Sequence, residues 1–447
     1  MRFILLVAGA LLVLVSATAQ AGGTGGHADP VASVALALTV VLVAAKLGGE
    51  AAARLGQPAV LGELMAGVVL GNLTLANYAG LEWLKADPTV DILARLGVLI
   101  LLFEVGLEST VRQMLQVGAT SLVVATLGVI APFGLGWMVG GWLLPAEGPH
   151  VHAFLGATLC ATSVGITARV LTDIGRSRSV EARIILGAAV IDDVLGLVIL
   201  AVVTGMIAAG HGGGAPSVGV TGLVLGKAIL FLVGSLAIGV LFSRRLFSLA
   251  SRLRARGVLL ALGLAFCFLF SWLSSVIGLA PIVGAFAAGL ILEEVHYRDF
   301  VDRGEHDLEE LVHPISQFLV PVFFVVMGMR TDLRAFVEPG VPALAAALIV
   351  AAIAGKQVCS LGVFGKGIDR LSIGIGMVPR GEVGLIYASI GMSLSYGGHP
   401  VISVATYSAI VAMVTVTTML TPSALKWSLM RSEAIRRGSD STRDAPG

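Results

Sequence analysis

Charge is scarce in this chain of 447 residues, because Asp, Glu, Lys and Arg make up 13% of it, against 56% hydrophobic residues. Soluble domains carry about 25% charged residues, and the mean hydropathy of +0.94 is that of a largely apolar chain. A net charge of +1 gives no basic field of the kind that binds nucleic acid. We therefore expect the chain to lie in a lipid bilayer, with no nucleic acid among its partners.

The chain also has few cysteines, and all of them lie in apolar stretches, where a free thiol behaves as a small hydrophobic side chain. They are Cys160, Cys267 and Cys359. The sequence contains neither a zinc-ligand spacing nor the GxxxxGK[ST] loop that cradles phosphate groups. These absences predict no disulfide, no bound cofactor and no enzymatic centre, so the function must come from polar groups inside the membrane.

Long apolar runs are what the sequence has instead, and about 13 of them are long enough to cross the roughly 30 Å of hydrocarbon in a bilayer. They lie near 31–49, 58–77, 92–107, 117–143, 153–173, 182–208, 218–242, 257–275, 277–293, 314–330, 340–363, 371–394 and 401–421. The pattern predicts an all-α polytopic membrane protein.

Residues 1–21 have the pattern of a cleaved signal peptide. Arg2 precedes an apolar run from Phe3 to Val15, and small residues end the segment at Ala21. The apolar run is short for a membrane span, and an uncleaved first helix is the alternative.

Basic residues collect in the loops on one side of the predicted bilayer, which the positive-inside rule assigns to the cytoplasm. They are Arg176, Arg178, Arg183, Arg244, Arg245, Arg252, Arg254, Arg256, Arg298, Arg303, Lys366 and Arg370. The tail 426–447 lies on the same side, and an odd number of helices then puts the mature N-terminus outside. We expect a multi-pass protein of the cell membrane, inner or plasma.

A weak internal repeat relates the two halves of the chain at a spacing of 222 positions. The aligned pairs are Gly62 with Gly284, Gly67 with Gly289, and residues 103–107 with residues 325–329. Seven predicted helices separate the copies, so the copies cross the bilayer in opposite directions, as in the inverted repeats of secondary transporters. Small residues that serve helix packing are the alternative explanation.

Asp192 and Asp193 stand well inside the sixth predicted helix, between long apolar runs. A charge at the centre of a membrane helix costs roughly 2.5–3.5 kcal/mol, and a polar packing network is the structural alternative. Carboxylates bind hard cations such as Na⁺ and also carry protons. One aspartate holds a cation or a proton but not both, and this competition is the minimal chemistry of an exchanger.

Lys356 lies deep in the eleventh predicted helix, too far from either end to reach the interface. It needs an anionic partner, and Asp192 or Asp193 is the best candidate. If a cation displaced the lysine from that partner, the lysine could lose its proton and add a second exchangeable charge. A static ion pair between helices is the structural alternative.

Two predicted helices carry signs of interruption at membrane depth. Arg380 and Glu382 lie in Pro379-Arg380-Gly381-Glu382-Val383-Gly384, and Thr162 and Ser163 precede Gly165 at the matching place in the first half. Broken helices expose helix ends to a cavity, and Arg380 and Glu382 could balance the charges of those ends, or serve a purely structural role.

Three further polar residues carry weaker signals. Glu104 lies near a helix end, so a solvated interfacial role is as plausible as an ionic one. His150 and His152 lie on a predicted outer loop beside Glu147 with no further ligand nearby, and we expect a solvated loop there rather than a metal site.

Together these segments resemble the second monovalent cation:proton antiporter family, in particular its bacterial electrogenic Na⁺/H⁺ antiporters. The resemblance rests on Ala161-Thr162-Ser163-Val164-Gly165, Ile191-Asp192-Asp193-Val194, Gly355-Lys356 and Pro379-Arg380-Gly381-Glu382-Val383-Gly384. It covers nearly the whole mature chain. The aspartate pair with the later lysine is its specific part.

The resemblance implies inverted repeats with two crossing broken helices, and a homodimer in which one bundle moves like an elevator against a fixed one. The implied dimerisation bundle covers roughly 31–107 and 257–330, within a membrane domain of 31–425. The ion-transport core covers 117–208 and 340–421, and 218–242 links the two.

The resemblance also implies roles for the site residues. Asp193 resembles the cation and proton carrier, Asp192 the acid that pairs with Lys356, and Thr162-Ser163 the unwound stretch of the first broken helix. Members with two acids and the lysine exchange two protons per cation.

The transported cation is less well specified. Close relatives often carry an acid where this chain has Ser163, which leaves the choice among Na⁺, Li⁺ and K⁺ open. Related K⁺ efflux systems usually append a nucleotide-binding domain, and we expect none here, which favours Na⁺ in exchange for H⁺. The alternatives are a K⁺/H⁺ antiporter or K⁺ efflux transporter, a sensor on a transporter scaffold, and a sodium-coupled symporter.

Overall fold

A computed structural model describes most of the chain from Pro30 onward. The described residues are 30–78, 80–108, 111–209, 230, 234, 243, 245–250, 253, 255, 257–277, 281–292, 300, 306–331, 333–334, 340–365, 367–396 and 399–441. The expected signal peptide 1–21 lies outside them, as does the linking segment 218–242 apart from residues 230 and 234.

Within this part of the chain the fold is almost entirely helical. The helices are α1 Pro30–Arg54, α2 Ala59–Gly71, α3 Glu82–Ala86, α4 Pro88–Leu107, α5 Val111–Leu143, α6 Pro149–Cys160, α7 Val164–Asp173, α8 Val180–Ala209, α9 Val258–Ile277, α10 Pro281–Ile291, α11 Leu308–Met329, α12 Val341–Gln357, α13 Arg370–Gly376, α14 Gly381–Ser393 and α15 Val404–Ser441. Short 3₁₀ segments cover Leu73–Ala76 and Val358–Gly362. A two-residue hairpin pairs β1 Ser395–Tyr396 with β2 His399–Pro400.

The helices confirm the all-α membrane fold, and seven spans in the described residues are long and apolar enough to cross a bilayer. The expected segments 153–173 and 371–394 are each divided in two, as their glycines and Pro379 indicated. The expected helix end at 421 was wrong, because α15 continues to Ser441. Hydropathy marks where a helix leaves lipid, whereas the helix itself persists through the helix-forming polar residues that follow.

The chain divides into two compact units, one of Met1–Ile100 with Pro314–Leu333 and the other of Leu101–His313 with Arg334–Gly447. The bundle boundaries implied by the resemblance differ from this division and stay a prediction.

The second unit holds an extensive apolar core. Helix α5 packs against α6, α8 and α12, while α15 packs against α12 and α14. Phe154 on α6, Leu348 on α12 and Met413 on α15 are fully buried members of this core. Close packing fixes these helices to one another, so the polar groups among them are held on a rigid support.

Close glycine contacts repeat at the spacing seen in the sequence. In the first unit, a Cβ on Gly67 would lie 2.9 Å from Gly328 Cα, so α2 and α11 touch through their backbones. In the second unit, a Cβ on Gly289 would lie 2.9 Å from Gly106 Cα, which brings α10 against α4. Gly289 and Gly328 stand 222 positions after Gly67 and Gly106. The glycines therefore serve helix packing in both halves of the chain, and the internal repeat stays a prediction.

Ion pairs occur towards both ends of α4. In the first unit, Asp91 pairs with Arg330, which directly follows α11, and accepts a hydrogen bond from Arg95 at 2.8 Å. In the second unit, buried Glu104 lies 2.6 Å from His313 Nδ1. Glu104 is therefore paired rather than solvated.

Beyond the end of α4, Glu108 lies in a cluster with Ser177, Arg178 and Glu309. Burial raises the pKa of Glu108 above its ordinary value. The hydrogen bond from Ser177 lowers this pKa, whereas the nearby negative charge of Glu309 raises it further. Arg178 also pairs with Glu309 at 2.9 Å. The cluster joins the loop between α7 and α8 to the ends of α4 and α11.

The two histidines lie in the first turn of α6, so the expectation that they stand on a loop was wrong. Pro149 at the start of the helix allows this, because its missing N–H has no partner there in any case. His152 Nε2 lies 3.0 Å from the Leu144 carbonyl, and its ring packs edge-on against Trp137. These contacts of His152 stabilise the start of α6.

Substitution of Gly67 tests the repeat contacts. We expect Gly67→Ala to destabilise the protein by roughly 1–3 kcal/mol, because the new Cβ forces α2 and α11 apart. The measurement is the thermal unfolding midpoint in detergent. The control is Gly134→Ala on α5, where a Cβ meets nothing within 4 Å; equal midpoints for the two variants would contradict the contact.

Candidate functional site

Two interrupted helices cross at the centre of the second unit. The first break lies at residues 161–163, between α6 and α7, and the second at residues 377–380, between α13 and α14. Ser163 donates its backbone N–H to the Pro379 carbonyl at 2.8 Å, and Thr167 donates its hydroxyl to the Gly376 carbonyl at 2.6 Å. These bonds satisfy backbone groups that the breaks would otherwise leave exposed.

Gly381 makes the crossing sterically possible, and Thr418 accepts a hydrogen bond from its backbone N–H. Gly381 has a φ of +46°, and a Cβ there would collide with the Ser163 side chain. Its N–H donates to the Thr418 hydroxyl on α15 at 3.2 Å. The start of α14 is thus held against both the first break and α15.

Arg380 lies beside the end of the first half-helix. It is fully buried, and its Nη1 donates to the Ala161 carbonyl at 2.5 Å. A second, longer bond of 3.4 Å runs from Nη2 to the Ala352 carbonyl. Carbonyl groups at a helix C-terminus carry partial negative charge, so the guanidinium is suited to balance the end of α6.

Lys356 and Asp192 form a fully buried ion pair between α12 and α8. Lys356 Nζ donates to both carboxylate oxygens of Asp192, at 3.1 and 3.2 Å, and the two side chains are 0% and 1% exposed. The Thr162 hydroxyl lies beside Asp192 and donates a long hydrogen bond of 3.4 Å to the Met377 carbonyl. On α5, Gly128 leaves room for the ammonium group, because a Cβ there would lie 3.3 Å from Lys356 Nζ.

Asp193 is the next residue of α8 and is only partly buried, unlike Asp192. Neighbouring residues on a helix point about 100° apart, so the two carboxylates face different surroundings. Tyr387 on α14 lies within electrostatic range of both. Sequence reasoning missed Tyr387, since an aromatic residue in a membrane helix carries no cost that would draw attention to it.

Of the three remaining expected residues, one lies at the crossing, one has a side chain outside the described part of the chain, and one lies apart from the centre. Ser163 is buried at the crossing. The backbone of Glu382 belongs to the first turn of α14, but its side chain lies outside the described part of the chain. Glu104 belongs to the separate contact with His313.

Chemically, the centre offers oxygen ligands of the kind that hard cations prefer, from the carboxylates, Thr162 and the exposed ends of half-helices. One of its charges, on Asp192, is already balanced by Lys356. A cation that binds here must therefore compete with a lysine as well as with protons.

Removal of the lysine tests the buried pair. Lys356→Ala strands a carboxylate in the interior, which costs about 3–5 kcal/mol, whereas the Asp192→Asn/Lys356→Ala double variant should recover much of that loss. Thermal unfolding in detergent measures both variants. The control is Lys85→Ala, which removes an exposed lysine 3.8 Å from Glu82; a double variant no more stable than the single one would refute the pairing.

Comparison with known proteins gives one consistent result. The family "Sodium/hydrogen exchanger, transmembrane" matches residues 37–431. The High-affinity Na(+)/H(+) antiporter NhaS3 of Synechocystis sp. is 39% identical over 430 residues, covering 88% of this chain and 89% of that protein. The Na(+)/H(+)-K(+) antiporter GerN of Bacillus cereus is 33% identical over 395 residues, covering 88% and 95%.

Two further proteins are similar to this chain, and one of them has a solved structure. The K(+) efflux antiporter 6 of Arabidopsis thaliana is 28% identical over 373 residues, covering 80% of this chain and 58% of that protein. The solved structure of the sodium proton antiporter MjNhaP1 from Methanocaldococcus jannaschii has the same fold, with a TM-score of 0.57 at 16% identity, covering 88% of this chain and 96% of that one. The chain is a multi-pass membrane protein of the sodium/hydrogen exchanger family, whose members are monovalent cation:proton antiporters.

Proposed function

We propose that this protein exchanges Na⁺ for protons across the cell membrane and that the exchange is electrogenic. The observation that carries the proposal is the fully buried Asp192–Lys356 pair next to Asp193 at the crossing of two broken helices. Three ionisable side chains at membrane depth, those of Asp192, Asp193 and Lys356, are energetically unfavourable. A role in ion coupling accounts for their presence.

Na⁺ is the first choice of cation. The similar proteins NhaS3 and GerN are named Na(+)/H(+) and Na(+)/H(+)-K(+) antiporters, and carboxylate and hydroxyl oxygens suit Na⁺. K⁺ is the second candidate, favoured by the K⁺ in the name of GerN and by the K(+) efflux antiporter 6.

The proposed cycle moves two protons against one cation. In the proton-loaded site, Asp193 is protonated and Lys356 is charged and paired with Asp192, so the three side chains sum to zero charge. When Na⁺ binds, Asp193 releases its proton, and Lys356 leaves Asp192 and loses another. The loaded site, with the cation included, then carries one negative charge, and the difference makes transport sensitive to voltage.

An elevator movement would carry this site across the membrane. Support comes from the packing of α5, α6, α8, α12 and α15 around one apolar core, which allows these helices to move as a body. The fixed bundle, the homodimer and the cytoplasmic C-terminus belong to the same proposal. The membrane potential would then drive protons inward and the cation outward.

Proteoliposomes with an internal pH dye test the proposal. After an inside-acid gradient is imposed, Na⁺, Li⁺ or K⁺ is added, with and without valinomycin and K⁺ to clamp the voltage. We expect Na⁺ to dissipate the gradient at a rate that depends on the clamp. Asp193→Asn should abolish exchange, and Lys356→Ala should leave exchange that no longer responds to voltage.

The control is Asp307→Asn, which neutralises an exposed aspartate away from the crossing and should leave the rate unchanged. Dissipation by K⁺ alone would replace Na⁺ with K⁺ in the proposal. Exchange by Asp193→Asn at the wild-type rate, or no exchange by any cation, would refute it.

A further inference from the structure

Tyr387 is buried against the helix that carries the two aspartates. It lies on α14 and is 5% exposed. Since each helical residue adds 1.5 Å, it stands about 9 Å along α14 from Gly381, where that helix leaves the crossing. A phenol at this depth has an apolar ring that packs and a hydroxyl that needs polar company.

Gly196 on α8 leaves the space that the Tyr387 hydroxyl occupies. A Cβ at Gly196 would lie 3.0 Å from Tyr387 Oη, and no other side chain of the described residues comes within 4 Å of that position. Gly196 stands three residues after Asp193 and four after Asp192, which is the spacing of neighbours on one helix face. The hydroxyl therefore lies about one helical turn from the carboxylates.

The aspartate pair lies near the phenol as well. Of the two carboxylates, Asp193 acts more strongly on Tyr387 than Asp192 does, and Asp193 is the partly buried member of the pair.

A tyrosine hydroxyl can serve both states of an exchange site. Its O–H donates a hydrogen bond to a carboxylate, and its oxygen offers lone pairs to a cation. The stiff ring holds that oxygen at a fixed place, and selectivity among cations depends on the number, distance and flexibility of their oxygen ligands. A residue so placed would set cation preference as well as affinity.

We propose that the Tyr387 hydroxyl is an oxygen ligand of the transported cation beside Asp193, and that Gly196 is glycine in order to admit it. This inference rests on the proposed cation/proton exchange and adds a specificity-determining residue to its site.

The experiment compares cation kinetics in proteoliposomes for the wild type, Tyr387→Phe and Gly196→Ala. Tyr387→Phe keeps the ring and removes one oxygen, and Gly196→Ala keeps the oxygen but displaces it. We expect each variant to raise the KM for Na⁺ by about threefold to tenfold, to change the ratio of KM values for Na⁺, Li⁺ and K⁺, and to leave kcat within about twofold.

Tyr407→Phe is the matched control, because Tyr407 lies partly buried in the apolar core on α15 and should not alter any KM. The thermal unfolding midpoint of each variant separates ligand loss from misfolding. Unchanged KM values and cation ratios in Tyr387→Phe would overturn the inference, as would a loss confined to kcat and stability. Wild-type protein that exchanges no cation would instead refute the proposed function itself.

Discussion

The arrangement at the centre of this protein depends on a fully buried ion pair between Lys356 and Asp192. Neither Lys356 nor Asp192 reaches water, and a lone charge at that depth would be strongly destabilising, so each side chain requires the other. A cation that takes the carboxylate must offer equal compensation. The pair therefore acts as an internal competitor, and in the proposed cycle this competition is what couples cation binding to release of a proton from the lysine.

The surrounding backbone makes that competition possible. Two breaks place helix ends beside the pair, and Arg380 donates to the Ala161 carbonyl at the end of α6. The half-helices are joined through backbone and hydroxyl bonds such as that from Ser163 to Pro379. Glycine at the crossing is part of this arrangement, since a Cβ on Gly381 would collide with the Ser163 side chain. Oxygen ligands are thus held in place by packing before any ion arrives.

The sequence alone predicted the parts of the fold and site that violate the usual rules of a membrane helix. Charges in apolar runs marked Asp192 and Lys356, and Pro379 with its neighbouring glycines marked the second break. Features that obey those rules gave no signal. Tyr387 is an ordinary aromatic residue in an apolar helix, and the part of α15 beyond residue 421 follows helix propensity rather than hydropathy. The contact between Glu104 and His313 depends on tertiary structure that no local pattern contains.

Proton release on cation binding is the most direct measure of the central claim, which is that cation and protons share one site. Calorimetric titration of the purified protein with Na⁺, in buffers of different protonation enthalpy, counts the protons released per ion bound. The account predicts release of two protons at a pH where both are held, and an apparent Kd for Na⁺ that falls as the pH rises. Binding of Na⁺ with no proton release and no dependence on pH would contradict it.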